Sequence, residues 1–145
     1  MNFAAGEVEI MPVLEKLKPL ALLLLRLGLG LIFVYHGYPK LFTHMHETVK
    51  AFPRMGFPSY FAYIAGIVEF FGGWLLVLGL FTRIAALLLA GEMAIAIVRV
   101  HIPQGGLMAV SNYQFPLAMA VGAFALVAVG AGAISLDRAI FKNKA

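Results

Sequence analysis

Four long apolar stretches dominate the sequence, and each of them is long enough to cross a lipid bilayer. They run over about residues 19–42, 59–81, 82–102 and 113–134. A membrane-spanning α-helix needs about 20 apolar residues, because each residue rises ~1.5 Å through a hydrocarbon core of about 30 Å. The pattern therefore predicts an all-α, polytopic membrane protein: an antiparallel four-transmembrane-helix bundle that forms a single domain over residues 1–145.

The lengths and compositions of the connecting segments predict how the four helices are joined. The first loop, about residues 43–58, predicts a short interfacial helix that ends near Pro53. The second connection is only a few residues around Leu80, so the second and third helices form a tight hairpin. Residues 1–18 and 135–145 form polar tails, and the first of these has no apolar run typical of a cleavable signal peptide.

Composition narrows the classes of function. Hydrophobic residues make up 62% of the chain and charged residues 12%, which leaves too little polar surface for a water-soluble domain. The absence of cysteine excludes thiolate nucleophiles and cysteine-ligated metals. Any redox role therefore requires a bound cofactor or a partner protein. The sequence contains no nucleic-acid-binding motif.

The distribution of Lys and Arg predicts the orientation in the membrane. Six of these residues fall on the side that holds both termini, and four fall on the other side. The six are Lys16, Lys18, Arg83, Arg138, Lys142 and Lys144, and the four are Lys40, Lys50, Arg54 and Arg99. Because cytoplasmic loops are enriched in these residues, we expect a multi-pass protein of the cytoplasmic (inner) membrane with both termini in the cytoplasm.

Three ionisable residues lie inside the predicted helices: Arg26, Glu69 and Glu92. A charge at the centre of a bilayer costs at least about 2.5–3.5 kcal/mol. We therefore expect all three to point inward as a buried polar network, with Arg26 paired to one or both carboxylates. The spacing places Arg26 and Lys40 on one stripe of the first helix. A purely structural ion pair is the alternative interpretation.

A second polar layer is predicted toward the membrane side that lies opposite the two termini. Its candidate head-group ligands are His36, Lys40, Arg99, His101 and Gln114. A polar layer above a buried acid–base centre is typical of a site for a polar head group with an apolar tail. Alternatively, the cations reach toward lipid head groups, and the histidine at 36 forms an ordinary interfacial hydrogen bond. The pair His44 and His46 lacks a third ligand, so no metal is expected.

The order and spacing of several short motifs resemble the DoxX/DoxD-like family of small four-helix membrane proteins. The motifs are Arg26-Leu27-Gly28, His36-Gly37, Lys40-Leu41, Glu69 with Gly72-Gly73, Gly79-Leu80-x-Thr82-Arg83, Glu92-Met93, His101 and Gly130-x-Gly132-x-x-Ser135-Leu136-Asp137. Members of the family commonly carry a glutamate at the start of the fourth helix. Here Gln114 takes that position, and an amide cannot release a proton.

The resemblance implies a link to sulfur-compound oxidation, since known relatives include subunits of a thiosulfate:quinone oxidoreductase. The leading hypothesis is therefore a membrane component of a redox system that binds a quinone or a similar amphiphile. At most, the chain is a membrane subunit of a quinone-linked oxidoreductase that works with a redox partner protein. The alternatives are a non-catalytic anchor or assembly subunit and a small-solute transporter that acts as a homo-oligomer.

Overall fold

The computed structural model describes residues 11–141. After a helical stretch at residues 11–15, this part of the chain contains α1 (Lys18–Tyr38), α2 (Met45–Arg54), α3 (Phe61–Leu78), α4 (Thr82–Ala96), α5 (Val110–Val129) and α6 (Leu136–Ile140). A π-helical turn, Pro39–Thr43, continues α1. A second π-helical turn, Ile97–His101, and a 3₁₀ turn, Ile102–Gln104, continue α4.

Four helical runs are long and apolar enough to span a membrane: Met11–Thr43, Phe61–Leu78, Thr82–Gln104 and Val110–Val129. The predicted fold class, an all-α four-transmembrane-helix bundle with a short helix in the first loop, is confirmed. The predicted tails are described only in part, because Glu7, Glu9, Lys142 and Lys144 lie outside the described residues.

The fourth transmembrane helix differs from its predicted bounds at both ends. It starts at Val110 and stops at Val129, whereas the apolar pattern predicted a helix over 113–134. Gly130 ends the helix with a φ of 86°, and Gly132 follows with a φ of 80°. These conformations are typical of glycine and incompatible with a continuing α-helix. The apolar residues beyond Val129 therefore form a non-helical segment that leads to α6.

Helices α1 and α3 approach each other through glycines. A Cβ atom on Gly30 would lie 2.6 Å from the carbonyl oxygen of Gly73, and one on Gly37 would lie 2.9 Å from Cβ of Glu69. Only glycine permits backbones to come this close. The predicted stripe of α1 is confirmed as the packed face, since Arg26, Gly30, Phe33 and Gly37 are all buried.

The remaining core lies between α4 and α5, where Ala86, Leu89, Ala123 and Leu126 are completely buried. Outward-facing positions carry large apolar side chains: Leu24, Leu31, Leu87, Val121 and Phe124 are all more than half exposed. Such a surface is expected where lipid rather than water surrounds the helices.

The bundle has two ends, which we name by what they contain. The termini end holds the start of α1, the turn between α3 and α4, and the segment between α5 and α6. The loop end holds the π-helical turns after α1 and α4, together with α2 and the starts of α3 and α5. This alternation follows from four antiparallel crossings.

Candidate functional site

An ion pair between α1 and α3 is the central feature of the loop end. Nζ of Lys40 lies 2.5 Å from Oε2 of Glu69. The Glu69 side chain is only 4% exposed, whereas that of Lys40 is 28% exposed. Glu69 stands on the face of α3 that contacts Gly37, and Lys40 continues the same stripe one turn later. Pairing offsets part of the cost of placing either charge inside the bundle.

The prediction that Arg26 pairs with Glu69 or Glu92 is wrong. The guanidinium of Arg26 lies at the termini end, where its Nη2 donates a hydrogen bond of 2.5 Å to the carbonyl oxygen of Ile134. Contact between Gly37 and Glu69 fixes the register of α1 against α3. Arg26 precedes Gly37 by 11 residues, or about 16 Å along the helix. The cation that can reach Glu69 is therefore Lys40.

Glu92 completes the polar group at the loop end. It lies on α4, half-buried, within electrostatic reach of both Glu69 and Lys40. Its Oε2 atom is shielded from solvent and has no hydrogen-bond partner among residues 11–141. Buried polar atoms nearly always have a hydrogen-bond partner. We therefore expect a further partner for this oxygen, which accepts a hydrogen bond when ionised and can donate one when protonated. We call Lys40, Glu69 and Glu92 the loop-end cluster.

The termini end is organised by Asp137. Its carboxylate accepts hydrogen bonds from the backbone N–H groups of Phe81, at 2.7 Å, and Thr82, at 3.0 Å. Its own N–H donates to the carbonyl oxygen of Gly79, at 2.8 Å. The segment after α5 therefore caps the first turn of α4, where unpaired N–H groups and the helix dipole favour an anion.

Arg26 is packed into the same region. It is 1% exposed, lies within electrostatic reach of Asp137, and occupies the space that a side chain on Gly79 would need. Its Nε and Nη1 atoms have no partner among the described residues. We call Arg26, Gly79, Ile134 and Asp137 the termini-end lock, because together they join α1, the α3–α4 turn and the segment before α6.

The other predicted head-group ligands lie at the loop end, and no hydrogen-bond contact between them is seen among residues 11–141. His36 is exposed, with Nδ1 donating to the carbonyl oxygen of Ile32 at 2.9 Å and its ring centroid 5.5 Å from that of Phe115. Arg99 is exposed, 5.9 Å from the centre of the Phe57 ring. Both arrangements match the interfacial interpretation as well as the binding one.

His101 and Gln114 occupy the same end. Nδ1 of His101 donates to the carbonyl oxygen of Ala96 at 2.9 Å, and the side chain is half-buried. Gln114 is exposed. His101 and Arg99 share the π-helical turn after α4, while Lys40 lies in the one after α1. Single π-helical turns within α-helices are frequent at functional sites.

The roles of two residues are not predicted by the sequence. Lys40 was placed among the head-group ligands and not recognised as the partner of Glu69, although its place on the Arg26 stripe was a usable signal. The sequence predicts no role for Asp137 beyond its place in the family motif. A carboxylate directly after the last apolar stretch and a tight α3–α4 turn could have indicated a cap contributed from a distant part of the chain.

Comparison of the sequence with known proteins identifies the family of this chain. The family model described as DoxX matches residues 21–102. "Putative oxidoreductase CatD" of Bacillus subtilis (strain 168) is 34% identical over 122 residues, which cover 84% of this chain and 88% of that protein. An uncharacterized protein of Haemophilus influenzae is 36% identical, covering 90% of this chain and 98% of that protein.

A third relative is a membrane protein by name. "Inner membrane protein YphA" of Escherichia coli (strain K12) is 34% identical over 128 residues, covering 83% of this chain and 91% of that protein. No solved structure matches the chain. The match to the family model covers more than half of the chain, and the relatives align over most of their own lengths. The chain therefore belongs to the DoxX family of membrane proteins.

Proposed function

We propose that this protein is a membrane component of a redox system and binds a quinone or a similar small amphiphile at the loop end. The head group contacts the loop-end cluster, and the apolar tail lies along the lipid-facing surface of the bundle. The observation that carries the proposal is the unpartnered Oε2 atom of Glu92, beside the Lys40–Glu69 ion pair. A head-group oxygen is a suitable partner for it.

Access distinguishes Glu92 from the other buried charges. Glu92 is half-buried, whereas Glu69 is 3% exposed and Arg26 is 1% exposed. In the proposal, a ligand meets the exposed part of the Glu92 side chain, and the side chain turns so that its shielded Oε2 atom contacts the head group. Lys40 is partly exposed as well, and its ammonium group has three donors. One hydrogen bond to Glu69 leaves donors for a second acceptor.

The chemistry of a quinone suits such a place. Reduction of a quinone to a quinol consumes two electrons and two protons. Carboxylates, a lysine and a histidine at the end of the bundle are groups that can hold and pass protons. The chain has no cysteine and needs a partner protein or cofactor to supply the electrons. We therefore propose a redox partner protein and assign this chain the binding of the amphiphile and the proton transfer.

The remaining head-group candidates form the rim of this site. In the proposal, His101 and Arg99 contact the head group from the π-helical turn of α4, His36 contacts it from α1, and Gln114 from α5. His36 and Arg99 lie beside aromatic rings, His101 lies in a π-helical turn, and Gln114 is exposed near the start of α5. Gln114 contributes hydrogen bonds and no proton, because its amide does not titrate.

The names of two relatives support the redox role and the membrane location in this proposal. The name of the Bacillus subtilis relative contains the word oxidoreductase, and the Escherichia coli relative is named an inner membrane protein. We propose the same membrane for this chain, with both termini in the cytoplasm according to its distribution of Lys and Arg. A homo-oligomer is compatible with the apolar outer surface.

The test is the amount of quinone that co-purifies with the protein. Protein purified from its native membrane in mild detergent is extracted, and quinone is quantified per mole of chain. We expect wild type to retain quinone well above the level of the surrounding lipid. Glu92→Gln should lower that amount about tenfold, because the amide still forms hydrogen bonds but lacks the charge and the proton that strengthen the contact by about 1–2 kcal/mol. Arg99→Ala and His101→Ala should lower it by smaller factors.

The matched control is Glu47→Gln, which makes the same chemical change on an exposed position of α2 and should leave the quinone content unchanged. Equal quinone in wild type and all variants would remove the proposed site. If the loop-end variants lowered only stability while the activity of the redox system survived, the protein would be an anchor or assembly subunit. Solute uptake by liposomes that contain only this chain would establish a transporter instead.

A further inference from the structure

A cavity of about 420 Å³ lies at the termini end, away from the loop-end cluster. It is bounded by the start of α4 and by the segment that connects α5 with α6. Two cationic side chains, Arg83 and Arg138, line it. Since the ends of transmembrane helices lie near the membrane surface, this cavity lies at the level of lipid head groups.

The charge of the cavity is positive. Its one acidic residue, Asp137, already holds both carboxylate oxygens against the N–H groups of Phe81 and Thr82. Arg83 and Arg138 form no ion pair with any residue between 11 and 141. The guanidinium groups are therefore available to an external anion, and arginine is well suited to bind phosphate through two parallel hydrogen bonds.

Further hydrogen-bond donors line the same cavity. The backbone N–H groups of Ala131, Gly132 and Ala133 donate to no carbonyl oxygen of residues 11–141. Successive unpaired backbone N–H groups in a turn form anion-binding concavities. The cavity thus offers donors of several kinds to one group with several acceptor oxygens.

The apolar part of the lining indicates where such an anion comes from. Phe81, Ile84, Val129 and Phe141 face the cavity together with the arginines. These side chains suit the glycerol and acyl carbons of a lipid and serve no purpose for a free ion. Two more lysines, Lys142 and Lys144, follow in the sequence. Basic residues next to a transmembrane helix attract anionic lipids.

We propose that this cavity binds the phosphate group of an anionic phospholipid, with Arg83 and Arg138 as its cationic contacts. The site is independent of the loop-end cluster. The test uses the full-length protein in neutral detergent, titrated separately with phosphatidylglycerol, phosphatidylcholine and inorganic phosphate. Native mass spectrometry counts bound lipid, and the melting temperature reports binding of either anion.

We expect wild type to bind phosphatidylglycerol in preference to phosphatidylcholine, with about one molecule held tightly per chain. Each arginine near the membrane surface contributes about a fivefold factor in affinity. The double variant Arg83→Gln/Arg138→Gln should therefore bind phosphatidylglycerol about 25-fold more weakly. The matched control, Lys50→Gln/Arg54→Gln, removes two exposed cations at the loop end and should retain the wild-type affinity.

Two results would overturn the proposal. Equal weakening in the control double variant would show that phosphatidylglycerol responds to net charge rather than to this cavity. Equal binding in wild type and the Arg83→Gln/Arg138→Gln variant would show that the cavity holds no anion. If inorganic phosphate raised the melting temperature through these arginines while phosphatidylglycerol did not, the phosphate contact would stand and the lipid as its source would be rejected.

Discussion

The termini-end lock and the loop-end cluster both bury charge in the same bundle, but they hold it with different groups. At the termini end, Asp137 binds backbone N–H groups and Arg26 binds a backbone carbonyl. At the loop end, Lys40 binds the side chain of Glu69, while Glu92 has an unpartnered oxygen. Charge held by backbone groups fixes a turn and a segment in place. Charge held between side chains can be rearranged when a ligand or proton arrives.

Access separates the two regions further. Arg26 also has unpartnered nitrogen atoms, but it is almost completely buried and does not line the termini-end cavity. The unpartnered Oε2 atom of Glu92 is also shielded from solvent, but it belongs to a side chain that is only half-buried. This partial exposure makes Glu92, and not Arg26, the candidate contact for a ligand. The comparison therefore assigns the proposed quinone site to the loop end and a structural role to the termini-end lock.

The largest expected effect is on stability, at the termini end. Arg26→Ala removes a hydrogen bond from a charged donor and leaves a cavity beside Gly79. We expect the free energy of unfolding to fall by about 3 kcal/mol, measured by titration of detergent micelles with sodium dodecyl sulfate. The bound quinone per folded chain should not change. Arg54→Ala, at an exposed position of α2, should alter the stability by less than about 0.5 kcal/mol.

A stability effect of intermediate size is expected at the Lys40–Glu69 ion pair, which depends on the register of α1 against α3. Lys40→Met leaves the Glu69 carboxylate buried without its cation, and we expect a loss of about 2 kcal/mol, lower than for a fully buried pair because Lys40 is partly exposed. Lys40→Met/Glu69→Met removes both charges and should regain most of that loss. The single variant Glu69→Met completes the comparison. If the stability losses of Lys40→Met and Glu69→Met simply added in the double variant, the ion pair would not couple the two residues.

The smallest of the stability effects concerns the cap. Asp137→Asn keeps the shape of the side chain and removes the charge that holds the N–H groups of Phe81 and Thr82. We expect a loss of about 1 kcal/mol in the same unfolding assay. The control is Glu47→Gln, which neutralises a carboxylate on the exposed face of α2. A loss as large as that of Arg26→Ala would mean that Asp137 contributes more than a helix cap.

Much of the fold could be predicted from the sequence, because hydrophobicity and length are local properties. The four spans, the helix in the first loop and the Arg26–Lys40 stripe all follow from the spacing of residues in one segment. The end of α5 could not be placed, since an apolar run continues past Gly130 while the backbone does not. The positive φ of Gly130 ends the helix inside that run.

The partner of Glu69 could not be predicted because it depends on the register between two helices. Arg26 and Lys40 both lie on the packed face of α1, and nothing local to α1 decides which of them is level with Glu69. The contact between Gly37 and α3 decides it. The role of Asp137 escaped for the same reason, since its hydrogen bonds join residues 55 and 56 positions apart in the chain.

The most direct test compares one variant from each end with two readouts. Wild type, Glu92→Gln and Asp137→Asn are purified in parallel, and both the quinone content per chain and the free energy of unfolding are measured. We predict that Glu92→Gln loses most of its quinone and changes in stability by less than about 0.5 kcal/mol, while Asp137→Asn loses stability and keeps its quinone. A variant pair in which both readouts fall together, or in which Glu92→Gln retains its quinone, would contradict the division between a quinone-binding loop-end cluster and a structural termini-end lock.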